Sequence, residues 1–118
     1  PPRVLCPATS LRFQSGPNLL SPRSNCAALM LDEERLFVVG GFDGKSYLDT
    51  TEVLELSSMT FEPGPSMASR RSGCAVAKLD KDRVLVVGGG DGTSRLNTTE
   101  LLEYATMTFT LGPSMGSS

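Results

Sequence analysis

Leu36-Phe37-Val38-Val39-Gly40-Gly41-Phe42-Asp43-Gly44 returns 48 residues later as Val84-Leu85-Val86-Val87-Gly88-Gly89-Gly90-Asp91-Gly92. Each copy is an apolar run stopped by paired glycines and an Asp-Gly turn. This is the pattern of a buried strand that ends sharply, because glycine adopts backbone angles closed to other residues. The register extends outward without a gap: Cys26 and Cys74, Glu52 and Glu100, and Phe61 and Phe109 keep the same 48-residue separation. More than half of the positions from Ser21 to Met67 recur unchanged from Ser69 to Met115. The chain is an array of one unit.

The same interval carries Phe61, Gly64 and Pro65 back to Phe13, Gly16 and Pro17, so the array is already under way near the N-terminus. Residues 1–20 are expected to be the closing strands of a preceding unit, formed by Val4-Leu5-Cys6 and Leu11-Arg12-Phe13. Residues 21–67 and 68–115 are expected to be full units, and residues 116–118 to begin the next turn between units.

Within a unit, Asn25 to Leu31 carries Cys26, Ala27 and Ala28, small side chains that suit a crowded strand. Asp32-Glu33-Glu34 and Asp80-Lys81-Asp82 supply polar hairpin turns. Leu36 to Val39 is apolar at consecutive positions, which predicts a strand covered on both faces. Phe42 to Asp49 is long for a hairpin and is expected to project from the body. Thr50 to Leu56 and Thr60 to Pro63 complete four strands, and Pro63 restricts the last to an edge, where its missing N–H faces solvent. Helical periodicity is absent, and the linkers are too short and glycine-rich for the helices that a parallel α/β sheet requires. Short strands with turn signals every 8 to 12 residues or so, repeated in a long unit, predict an all-β fold of propeller blades.

With 118 residues and 39% hydrophobic content the chain is long and apolar enough to fold. Eleven basic against 13 acidic residues, a net charge of −2, give no bias toward nucleic acid or an anionic membrane. No apolar run approaches the ~18 residues of a membrane span. Three cysteines are an odd number, and two of them occupy one repeat position, which favours reduced thiols and a cytoplasmic or otherwise intracellular setting.

The unit resembles the kelch repeat in Val38-Val39-Gly40-Gly41-Phe42-Asp43-Gly44, Thr50-Thr51-Glu52-Val53, Phe61, Pro65-Ser66-Met67 and Arg71-Ser72. It departs where the family usually has tryptophan, here Phe61 and Phe109, and where it often has tyrosine, here Leu54 and Leu102. The resemblance implies kelch-type β-propeller blades, each a four-stranded antiparallel sheet, in an incomplete ring of two blades plus the closing strands of a third. It makes Gly40, Gly41, Glu52 and Phe61, with Gly88, Gly89, Glu100 and Phe109, the anchors of the repeat. Phe61 and Phe109 are expected to hold the outer strand of each blade against the next. Open blade ends call for further blades or chains, so the chain reads as a fragment of a longer propeller or as one member of a multi-chain ring.

Catalytic chemistry is thinly represented. The chain has no histidine, which removes the commonest general base and metal ligand. That absence also argues against a copper oxidase of the galactose-oxidase kind, a distant kelch-containing class. Gly40 to Ser46 lacks the spacing and following helix of a phosphate loop, and Gly88 to Gly92 lacks the dinucleotide fingerprint. The acidic turns are too short for a calcium loop. Glu52 and Glu100 could form an acid–base pair, but a residue repeated in every unit is better suited to accepting structural hydrogen bonds. Asn97-Thr98-Thr99 matches a glycosylation acceptor, although Asp49 fills the equivalent place one unit earlier. No cofactor and no metal are expected.

Alternating strand direction puts residues 42–49 and 90–97 on one face with residues 20–24 and 64–72. Here the copies diverge: Lys45 against Thr93, Tyr47 against Arg95, Pro22 against Arg70. Lys45, Tyr47, Arg70, Arg71 and Arg95 are therefore candidates for contact with a protein partner. Among them Arg71 repeats Arg23 and suits bracing of the turn between blades. The resemblance implies a non-catalytic protein-interaction module or scaffold; the alternative is part of a propeller enzyme with its catalytic groups in other blades.

Overall fold

A computed structural model describes residues 15–116, so Val4 to Phe13 and Cys6 lie outside the described residues. Two antiparallel sheets of four strands follow one another along the chain. The first contains β1 (Ala27–Met30), β2 (Arg35–Val39), β3 (Thr51–Glu55) and β4 (Thr60–Pro63); the second contains β5 (Ala75–Asp80), β6 (Arg83–Val87), β7 (Thr99–Glu103) and β8 (Thr108–Leu111). Strand order within each sheet is sequence order, so each is a meander, with the longest connection between its second and third strands. The fold is all-β, as the repeat implied.

Register determines which side chains share a face. Phe37 lies opposite Leu29 and Val53, and Val39 opposite Ala27 and Thr51, so these residues form one face of the first sheet. In the second sheet Val84, Val86, Val76, Leu102 and Phe109 share the opposite kind of face. The two faces pack together, and the core holds Phe37, Val39, Val53, Val84, Val86 and Leu102 with Leu31 and Met67. Phe37, Val39, Val86 and Leu102 are completely buried. At roughly 25 cal/mol per Å² of apolar surface removed from water, this contact between sheets is the main force joining the units.

Phe109 is half-buried and stacks on Phe37, with ring centroids 6.4 Å apart and planes at 28°. The aromatic of the second outer strand thus packs back onto the preceding blade. This corrects the expectation of contact with the following one: the face that carries Phe109 in β8 also carries Val84 and Val86, and that face meets the first sheet.

Proline behaves as its chemistry requires. Gly64 N–H donates to Thr51 O, and the alternation of an antiparallel ladder then turns the backbone of Phe61 and Pro63 away from β3. The missing N–H of Pro63 lies on the outer edge.

Candidate interaction surface

The glycine pair governs how closely the units approach. Gly40 has φ +64, and a Cβ there would stand 2.2 Å from the carbonyl oxygen of Arg71; Gly41 has φ +106, and its N–H donates to that same oxygen at 2.8 Å. A side chain at Gly40 would push away the linker that starts the second blade, whereas one at Gly41 would meet Ser24 O at 2.7 Å and Cys26 in the same blade. Arg71 N–H in turn donates to Leu48 O at 3.0 Å, and Met67 N–H to Asp49 O at 2.7 Å. The β2–β3 loop of one blade and the linker to the next are therefore one hydrogen-bonded body.

Glu100 anchors that linker from the other side. Its Oε1 accepts from Ala68 N–H at 2.7 Å, and its Oε2 from Ser69 N–H at 3.1 Å and Arg71 Nε at 3.0 Å. Arg71 spends its remaining donors on Gly88 O, Thr98 O and Thr98 Oγ1, at 2.8, 2.9 and 3.0 Å. The first unit repeats the arrangement: Glu52 accepts from Leu20 N–H, Ser21 N–H and Arg23 Nε, and Arg23 reaches Gly40 O and Thr50. Glu52, Glu100 and Arg71 are buried, and among the described residues every buried side-chain polar atom has a partner. A buried ion pair is tolerated when the lone pairs and donors around it are satisfied in this way. Arg71 therefore leaves the list of surface candidates: it is 0% exposed, and its guanidinium is occupied within the fold.

The remaining candidates stand outside. Asp43 Oδ1 accepts from Lys45 N–H at 2.8 Å and Ser46 N–H at 2.7 Å, and Asp91 Oδ1 accepts from Thr93 N–H and Ser94 N–H, both at 2.9 Å. These backbone donors hold both carboxyls below their ordinary value of 3.8, chiefly through Ser46 and Ser94. Each loop thus ties its own tip and leaves the next side chains free. Lys45, Arg70 and Arg95 are exposed. Tyr47 packs on Phe42 with centroids 4.8 Å apart and also reaches the second loop, where a Cβ at Gly92 would meet its ring at 2.8 Å. At Gly44, the same place in the first loop, nothing lies within 4 Å. Arg95 borders a polar cleft of about 450 Å³ with Asn25, Ser72, Gly73, Gly89 and Gly90. The fold therefore brings Tyr47 against the second loop and leaves Lys45, Arg70 and Arg95 exposed on a shared rim.

On the opposite rim the sheets meet through side chains that repeat logic does not reveal. Tyr104, in the β7–β8 turn, donates its hydroxyl to Asp32 in the β1–β2 turn. Arg35 bonds to the Tyr104 hydroxyl and sits 4.8 Å from the ring centroid, and Lys78 donates to Leu31 O. Asp32 is held low by the Tyr104 hydrogen bond, and burial pushes the Tyr104 phenol up. The available signal was a departure from repetition: Leu56 stands where Tyr104 does. Cys26 and Cys74 are free thiols, and burial pushes Cys74 up and away from reactivity. Among the described residues no cluster of three or more potential metal ligands occurs, and no helix is long and apolar enough to cross a membrane.

Comparison with known proteins agrees with this architecture. No curated protein matches the chain. Among solved structures, a fungal alcohol oxidase of the AA5 family in complex with copper matches with a TM-score of 0.70 at 20% identity, covering 78% of this chain. The match spans 22% of the oxidase, and likeness at that identity shows the fold. Residues 22–68 match the family model of the kelch motif. With that motif on the first unit, the two four-stranded antiparallel sheets are consistent with kelch β-propeller blades.

Proposed function

We propose that this chain is a non-catalytic protein-interaction module whose contact surface is the rim formed by the β2–β3 loops and the linker between blades. The observation that carries the reading is the contrast within those loops. Asp43 and Asp91 fasten both with the same backbone bonds, yet the frames present Lys45 and Tyr47 in one and Thr93 and Arg95 in the other. A rigid frame with varied tips suits recognition, because ordering costs are met within the fold before a partner arrives. Tyr47, Arg70 and Arg95 are of the types that dominate binding energy at protein interfaces. Kelch repeats commonly mediate protein contact, which supports the same reading.

Replacing Tyr47 and Arg95 together with alanine is the direct test. Both side chains are largely outside the core, so the denaturation midpoint should hold while capture of native partners by the parent polypeptide falls. Unchanged folding with an unchanged partner profile rejects this surface. The oxidase likeness supports a second reading, a segment of a propeller enzyme with catalytic groups in other blades. With no histidine in this chain, that reading requires such groups in the longer parent, and oxidase assay of the parent separates the two.

A further inference from the structure

The outer strands of the two blades differ where the repeat is otherwise faithful. β4 ends Thr60-Phe61-Glu62-Pro63 and β8 ends Thr108-Phe109-Thr110-Leu111, so a charge and a proline in the first are replaced by threonine and leucine in the second. Both strands are sheet edges among the described residues. Gly112 N–H donates to Thr99 O, and ladder alternation then points the N–H and C=O of Phe109 and Leu111 outward, away from β7. In β4 the equivalent outward N–H at residue 63 does not exist, and Glu62 stands beside it. Proline and charge are the usual devices that stop a sheet edge from pairing. The first blade has both devices and the second has neither.

A groove of about 670 Å³ adjoins the open edge, walled by Pro65–Ala68 of the linker, Met107 of the preceding turn, Thr108–Leu111 of β8 and Glu100 of β7. Glu100, the one charged residue of that lining, is buried and already paired with Arg71. Leu111 is 75% exposed there. A strand added along β8 would pair its backbone with Phe109 and Leu111. Residues directly opposite these two would then lie on the same face as their side chains, toward the groove. The edge carries no charge of its own, so it opposes no charged residue and offers none an ion pair.

We propose that β8 is a second interaction surface, which takes an extended, neutral, proline-free peptide segment as a fifth strand. The segment carries apolar residues two positions apart, facing the groove. Main-chain hydrogen bonds supply affinity and the groove selects side chains, the division seen where peptides extend a sheet. This surface is independent of the loop rim.

The repeat itself provides the test. Thr110→Glu with Leu111→Pro installs the first blade's residues in the second, at positions where β4 already accommodates them. The probe is an eight-residue peptide of alternating valine and threonine with a serine at each end and blocked termini, titrated against the chain by calorimetry. We expect binding that falls about tenfold or more, equivalent to about 1.4 kcal/mol, in the double variant and also when the two pairing amides of the peptide are N-methylated. Tyr47→Ala with Arg95→Ala should leave it unchanged. Equal binding by the double variant, or by the N-methylated peptide, overturns the proposal, as does no binding by the parent chain. A concentration-dependent dimer that the double variant abolishes, and that the peptide fails to displace, assigns the edge to a second copy and also overturns it. Should the double variant not fold, Thr110→Lys places a charge on the same strand without altering the backbone and must give the same loss.

Discussion

Phe37, Val39 and Val53 in the first sheet are buried, to 0%, 0% and 7% exposure, whereas Leu85, Val87 and Leu101 at the same repeat positions of the second remain half-exposed. Residue type hardly differs between the two sets. What differs is the neighbour: the first set faces Val84, Val86 and Leu102 across the contact between sheets, and the second has no described sheet against it. An apolar run uninterrupted by polar residues therefore records a requirement for cover on both faces, and a neighbouring blade is what meets it.

That comparison breaks if the two faces respond alike to truncation. Phe37→Ala should cost about 3–5 kcal/mol in a denaturant titration, while Leu85→Ala should cost about 1 kcal/mol or less, since only the first opens a cavity. Comparable losses would mean that the second face is as well covered as the first. A smaller effect sharpens the picture at the opposite rim. Tyr104→Phe removes a hydrogen bond between blades and should cost about 0.5–1 kcal/mol, an amount limited by the water that reaches Asp32. Leu56→Phe, at the same repeat position, should be nearly neutral.

The smallest expected effect concerns acid. Asp43 and Asp91 have folded values below 3.8, so the stability they lend their loops is fully present above that pH and is lost as pH falls through the lower folded values. Amide exchange at Lys45, Ser46, Thr93 and Ser94, corrected for its intrinsic pH dependence, should lose protection in that acidic window while the core strands keep theirs. Loss of protection between pH 5 and 6 would contradict the assignment.

Much of the framework around the candidate surface was legible in the sequence. Pro63 announced an edge strand, because proline cannot donate to a ladder. The repetition of Arg23 at Arg71 suggested a brace between blades, and Arg71 joins them, its side chain on Glu100 and its backbone bonded to Leu48 and Gly41; Arg23 repeats the side-chain contact on Glu52. Tyr47 and Arg95 were visible as divergence within a constant frame. Arg71 was misplaced among the surface candidates because an arginine in a linker looks solvated until its guanidinium hydrogen bonds are traced to Glu100, Gly88 and Thr98. Tyr104 was missed because its partners, Asp32 and Arg35, lie 72 and 69 positions away and belong to another unit.

The sequence by itself determined the unit, its 48-residue period, its four strands and their turns, since each depends on local chemistry: glycine at positive φ, proline at an edge, apolar residues in short runs. Only the tertiary structure decided which blade each face meets, that Phe109 packs backward onto Phe37, and that the edge of β8 is open where that of β4 is blocked. Those outcomes depend on strand register and on the direction in which one sheet lies against the next. A repeat repeats its residues faithfully and leaves their neighbours to be settled by packing.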